Sequence, residues 1–327
     1  VNNQYTETEM TKRKDYKPAD LTSIHTHSIH DRKTKVSVRQ FAGVPEANAA
    51  CSDFLSSLPD VFAASVLRSV VKGIVAARKK NRPVVAAIGG HVVKCGLGPV
   101  LIDLLQRGFI TAVAMHGATA IHDYEISLVG CTSEDVAATL KDGSFGMARE
   151  TPEAFTRAAN LAAKEDIGLG SALGKVILSG NSEYAQYSVL AAAAELGLPA
   201  IVALALGTDT VCMHPSYQPE KLAAASHRDF RTLISIVADL AGGVWMNIGS
   251  AVVLPEVFLK ALTAARNLGG NAGKFITVNL DMHQHYRPNT NVVGRPTKQG
   301  YSITGHHEIM LPLLRMGILC EAGGRKV

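Results

Sequence analysis

Two short segments hold side chains that could move protons. One is His116-Gly117-Ala118-Thr119-Ala120-Ile121-His122-Asp123-Tyr124-Glu125, and the other is Leu206-Gly207-Thr208-Asp209-Thr210-Val211-Cys212-Met213-His214. An imidazole beside a carboxylate makes a general acid–base pair near neutral pH, which singles out His116, His122, Asp123, Asp209 and His214. Aspartate just past a strand also serves as a helix cap, so for Asp123 and Asp209 the residues alone leave both roles open. A second group offers bare backbone: Gly89, Gly90 and His91 with Gly96, then Gly117, Ala118 and Thr119, then Gly249 and Ser250. Such residues let N–H groups approach an anionic ligand closely. Asn247 and Ser250 read equally well as polar ligands or as turn formers. The third group is histidine-rich: His25-Thr26-His27, His283-Gln284-His285 and His306-His307. A His-x-His pair on a strand turns both rings to one face, and Asp123, Glu125, Asp209 or Asp281 could complete a metal set. No spaced signature fixes that set, and hydrogen-bonding histidines at loop and strand ends are the plainer reading.

These residues need a scaffold that brings them together. Residues 84–88 and 112–116 are apolar runs that stop at small residues, as buried parallel strands do. Between them Leu97, Leu101, Leu104 and Leu105 fall at helical spacing, which completes a βαβ unit. The same reading places helices at 61–77, 151–164, 183–196, 230–240 and 254–267. It places strands at 173–178, 200–206, 243–247 and 275–280, the last clear one. Thr151 is expected as N-cap of its helix, with Pro152 at the first helical position. The fold class expected is α/β, a doubly wound, mainly parallel Rossmann-like sheet with helices on both faces. Segments 89–97, 116–125, 207–214 and 247–251 then open at the carboxyl ends of neighbouring strands, where such sheets bind ligands.

Composition agrees with one large body. The 327 residues are 47% hydrophobic but 6% aromatic, and residues 1–35 are polar without clean periodicity. An N-terminal arm over 1–35 and a single α/β domain over 36–327 are expected. No apolar run approaches the roughly 20 residues of a membrane span, and the start lacks a signal pattern, so a cytoplasmic protein without a membrane partner is the expectation. The five cysteines are odd in number and never form Cys-x-x-Cys, which suits free thiols in a reducing compartment. The net charge is +5, and the basic clusters Lys12-Arg13-Lys14, Arg32-Lys33-Lys35 and Arg78-Lys79-Lys80 lack interleaved aromatics. Each cluster reads as a solvated surface, and anionic small-molecule ligands fit the charge better than nucleic acid does.

In their order and spacing, residues 82–314 resemble the deoxyhypusine synthases, whose sheet is shared in outline with sirtuins. The resemblance implies an NAD site: Gly89-Gly90-His91 with Gly96 as the first cofactor loop, His116-Gly117-Ala118-Thr119 as the second, and Gly249-Ser250 as the glycine-rich loop before a helix. It also implies that His122 and Asp123 face cofactor and substrate, and that Asp209 and His214 stand at the reacting end. The family's tryptophan-glycine-lysine segment is missing. Trp245, the single tryptophan, lies on an earlier strand, and Lys298 is the nearest candidate nucleophile, without an acidic cluster to hold a polyamine.

A transferase or oxidoreductase-type enzyme follows, binding NAD or a related nucleotide and acting on a small substrate, but not carrying out deoxyhypusine synthesis. The alternatives are a metal-dependent enzyme using the His-x-His pairs and a non-catalytic nucleotide sensor. The family's habit further implies a homo-oligomer, a tetramer, with the arm reaching a neighbouring subunit.

Overall fold

Six strands carry the molecule: β1 (Val84–Ile88), β2 (Ala112–His116), β3 (Ala200–Ala203), β4 (Val244–Ile248), β5 (Ile276–Asp281) and β6 (Gln299–Thr304). They lie in the order β3-β2-β1-β4-β5-β6, and every pairing is parallel. The chain therefore winds outward from β1 to β3, returns to place β4 beside β1, and winds outward again. Such an order reverses direction between β1 and β4, opening a crevice at their carboxyl ends. The expected doubly wound α/β fold is the fold observed.

The computed structural model describes residues 14–180 and 182–324. Residues 1–13 of the expected arm, including Lys12 and Arg13, lie outside the described residues. The chain divides into two compact units, 1–39 and 40–327. Every described residue of the first unit is exposed, and its ordered pieces are the short turns Ile29–Asp31 and Val38–Gln40, the latter running one residue past the unit.

The helices of the second unit are α1 (Cys51–Ser57), α2 (Phe62–Lys79), α3 (Gly90–Lys94), α4 (Gly98–Gln106), α5 (Gly117–Val129), α6 (Val136–Thr139) and α7 (Glu150–Glu165). They continue as α8 (Leu169–Ser179), α9 (Val189–Glu195), α10 (Pro219–Ala238), α11 (Val253–Asn267), α12 (Tyr286–Pro288) and α13 (His307–Ala322). Strand residues alternate between two cores. Val84, Ala86 and Ile88 join Val113, Met115, Met246 and Val278 under α2, α4, α5, α8, α9 and α13. Val85, Ala87, Ala114 and Trp245 face α10 and α11. Burial on both sheet faces makes the strands continuous apolar runs. Trp245 stacks on Phe258 with ring centroids 4.1 Å apart, and Phe258 meets Phe275 edge-on, which locks the second core.

The outer edge of β3 is covered by side chains. Asp229 of α10 accepts the Val202 N–H at 2.8 Å, while Ser226, one turn earlier, accepts the Leu204 N–H at 3.1 Å and donates to the Val202 carbonyl at 2.8 Å. Helix side chains thus replace the ladder bonds of a missing strand.

Several expectations are corrected. Residues 173–178 belong to the buried helix α8, not to a strand. Gly170 lies against the Ala200 carbonyl and Gly174 against the Leu190 carbonyl, so α8 presses on β3 and α9 where side chains would not fit. Thr151 is not an N-cap: α7 starts one residue earlier, and Thr151 is buried in its first turn with Pro152 next in line. The helix expected over 183–196 is broken at Ser188, which caps α9 by accepting the Ala191 N–H. Beyond 280 the chain still has β6, with Ile303 as its one buried residue, and α13, whose helix continues through Pro312.

Candidate functional site

The four loops expected to line one crevice do open side by side, because β3, β2, β1 and β4 are consecutive in the sheet. The glycines, however, are mostly used internally. A Cβ on Gly89 would run into the Gly249 carbonyl, and one on Gly117 into the Asp209 carboxylate. Gly249 is in the left-handed region at φ +67°, with a Cβ position 2.7 Å from His307 Nε2. Gly96, at φ +74°, closes the turn after α3. Gly90 makes room for the edge of the His122 ring, whose Cδ2 lies 3.2 Å from where a Cβ would stand.

Both sequence-expected aspartates cap helices, but not the helices that follow them. Asp123 is fully buried and accepts the Ser188 hydroxyl at 2.6 Å and the Val189 and Leu190 N–H groups at 2.8 and 3.1 Å, so it caps α9 from 65 residues away. Burial pushes its carboxyl up, and these bonds oppose the shift. Its donors are all protein groups, and it does not line the cleft described below. Asp209 accepts the Ala205 N–H at 2.8 Å and the Ala118 N–H at the start of α5. It fills the anion position at that helix end itself, and burial raises its carboxyl too. A third buried carboxylate, Asp229, bonds the Gly170 and Val202 N–H groups, each at 2.8 Å, and burial pushes it up to about 7.

Asp209 does line a cleft of about 640 Å³ with Ala118, His122, Glu125, Thr132 and Lys94. Such a volume suits a small-molecule ligand. His122 Nδ1 is 2.7 Å from Thr132 Oγ1, and the Thr132 hydroxyl donates to Glu125 Oε2. Thr151 adds a longer bond to Glu125 Oε1 at 3.4 Å. Burial alone would raise the Glu125 carboxyl, but its bonds to His122, Thr132 and Thr151 hold it below the ordinary value. His116, at the end of β2, is driven down to about 4 by burial and then by His122, so it stays neutral. Thr119 ties α5 to the Ile88 carbonyl at 3.2 Å and so fixes the helix that carries His122.

The other flank of the crevice, over β1, β4 and β5, is built from neutral groups and one carboxylate. Buried His307 has Nε2 3.9 Å from Asp281 Oδ1, and its ring centroid is 6.1 Å from that of exposed His91. Burial lowers the His307 imidazole, and Asp281 partly restores it. Asn247 donates to the Ser250 carbonyl at 2.9 Å and to Asn279 Oδ1 at 2.7 Å. Among the described residues Asn247 Oδ1 and His307 Nδ1 are buried without a partner, as are Trp245 Nε1, Tyr217 Oη and Gln218 Oε1. Ser250 accepts the Leu254 N–H at 3.3 Å, a turn-forming role.

Two expected residues stand apart. Lys298 is exposed just before β6, at the amino-terminal end of a parallel sheet whose candidate site is at the carboxyl end. His214 bonds Ser216 Oγ at 2.8 Å within its own turn. Among the described residues no three His, Cys, Asp or Glu side chains come together as a metal set, and His283 and His285 face each other at 6.0 Å. Sequence reasoning passed over Glu125 as a partner of His122, although three residues' spacing on a helix put both on one face. Thr132 and Lys94 carried no signal. Among the described residues no helix is long and apolar enough to cross a membrane.

No protein-family model matches the sequence, and no curated protein matches it. Solved structures do. A conserved LOR/SDH protein from Methanococcus maripaludis S2 aligns at TM-score 0.53 and 15% identity, over 87% of this chain and 75% of that one. AgrE, solved as a ternary complex with ornithine and NAD+, aligns at TM-score 0.51 and 14% identity over 80% of this chain, which spans about a third of AgrE (33%). A protein described as a deoxyhypusine synthase from Entamoeba histolytica aligns at 0.48 and 10% identity, over 84% and 94% of the two chains. The first two share the fold with this chain.

Proposed function

We propose that the chain is an enzyme that binds NAD or a related nucleotide across the β1/β4 crevice and acts on a small substrate in the adjoining cleft. The observation that carries this reading is the strand order, which sets the cleft beside the point where such sheets bind nucleotides. The fold shared with AgrE, itself solved with NAD+, supports it further. The orphaned Asn247 Oδ1 and His307 Nδ1 fit a ligand that brings polar groups of its own. Gly90, His91, Lys94, Gly249 and Ser250 would hold the nucleotide. Helix α3 has five residues, so Lys94 and loop N–H groups, not a helix dipole, would face the phosphates. When bound, NAD supplies hydride transfer.

The cleft suits a cationic substrate, since Glu125, Glu134, Glu150 and Asp209 line it with one lysine, Lys94. His122 and Asp209 would act on that substrate. Deoxyhypusine synthesis does not fit, because Lys298 lies at the wrong end of the sheet. A homo-oligomer, a tetramer with the N-terminal arm donated to a neighbour, belongs to the same proposal. Calorimetry on protein stripped of endogenous ligand tests it: NAD, NADP or an adenine nucleotide should bind, and Gly90→Val should abolish binding by forcing His122 aside. No binding of any of the three overturns the nucleotide reading.

A further inference from the structure

We propose that His122 is the general base of the cleft and that Thr132 and Glu125 are its positioning residues, which hold it as the Nδ1–H tautomer with Nε2 as acceptor. The argument is a count of hydrogens. A threonine hydroxyl has one proton, and Thr132 spends it on the Glu125 carboxylate. Glu125 is held below its ordinary range, so it is ionised near neutral pH and can only accept. The 2.7 Å contact between Thr132 Oγ1 and His122 Nδ1 must then run the other way, with Nδ1–H donating to the hydroxyl oxygen. In a neutral imidazole that leaves the lone pair on Nε2.

The bare ring nitrogen is well placed. Nε2 lies 3.7 Å from where a Cβ of Gly90 would stand, at the border between the cleft and the first loop of the crevice. Among the described residues Nε2 makes no hydrogen bond, while Nδ1 makes the one to Thr132. In the transfer, an X–H bond of the substrate breaks, the electron pair stays on X, and the proton goes to Nε2. The imidazolium keeps its Nδ1–H on Thr132, and the Glu125 carboxylate, 3.8 Å from Nδ1, faces the new charge. Thr132 transmits orientation without carrying charge itself. That this base serves catalysis rests on the cleft being the substrate site, as proposed above. The tautomer does not.

Long-range ¹H–¹⁵N correlation on the full chain labelled with ¹⁵N-histidine, at neutral pH, tests the relay without a known substrate. The wild type should show His122 protonated at Nδ1 and bare at Nε2. Thr132→Val should shift the tautomer ratio toward Nε2–H by about fivefold or more, the scale of one lost hydrogen bond. Thr132→Ser should restore the wild-type ratio. An Nε2–H tautomer in the wild type, or an unchanged ratio in a folded Thr132→Val protein, overturns the proposal. Failure of NAD to bind would leave these spectra as they are, so the two readings fail separately.

Discussion

The two flanks of the carboxyl edge solve one packing problem with opposite chemistry. Over β2 and β3 the gaps left by glycines are filled by carboxylates: Asp209 lies against Gly117 and Asp229 against Gly168. Over β1 and β4 they are filled by neutral groups: the Gly249 carbonyl at Gly89 and the His307 ring at Gly249. Each buried carboxylate is matched by N–H or hydroxyl donors, many of them the orphan groups of helix starts. Among the described residues the buried side-chain atoms without partners are all neutral: Asn247 Oδ1, His307 Nδ1 and Trp245 Nε1 on the neutral flank, and Tyr217 Oη and Gln218 Oε1 after β3. An unpaired buried charge costs far more than an unpaired neutral oxygen or nitrogen, so saturation is strict for the carboxylates and not for the neutral groups.

The largest effect expected from this contrast is Asp123→Ala, which strips partners from a hydroxyl and two N–H groups and should cost about 3–5 kcal/mol in urea unfolding. On the neutral flank, His307→Phe removes the orphaned Nδ1 and the 3.9 Å approach of Nε2 to Asp281 at similar shape and should cost under about 2 kcal/mol. Equal losses in the two variants would break the comparison.

A second test uses pH. The folded Asp229 carboxyl, pushed up from 3.8 to about 7, binds a proton that the unfolded chain has lost, so its contribution falls as pH rises from about 4 to about 7. His116, pushed down from 6.5 to about 4, has the opposite sign, and its contribution grows across much the same range. Each unit of displacement is worth about 1.4 kcal/mol. Thermal unfolding of Asp229→Asn between pH 4 and 7 should therefore gain stability with pH relative to wild type, and His116→Gln should lose it. Parallel profiles for the two variants would contradict the assignment of either group. The smallest effect expected is that of Lys298→Ala, within about 0.5 kcal/mol in stability and without change in nucleotide affinity.

The sheet was legible where strands are buried on both faces. Residues 84–88 and 112–116 read as strands because nothing polar interrupts them, and the carboxyl-end loops followed from those strands. β6 was not legible: its polar Gln-Gly-Tyr-Ser-Ile-Thr text buries one side chain and lacks the apolar run that marked the others. Residues 173–178 misled for the converse reason, since a short apolar run in a buried helix has the same text as a buried strand. In the site, glycine announced close approach but not what approaches. Asp209 and Gly117 are 92 positions apart by number, and their meeting depends on strand order, which no local pattern encodes. His122 and Glu125 share a helix face and could be paired from sequence. Thr132, in the loop beyond the helix, could not.

The way α10 covers β3 bears on how copies of this chain can meet. The outward N–H and carbonyl of Val202 and the N–H of Leu204 are already bonded to Ser226 and Asp229. A second molecule therefore finds no template there for adding a strand, and templated aggregation through that margin is closed while α10 stays docked. Any ordered assembly built around the β3 margin has to join helices or loops instead of extending the sheet.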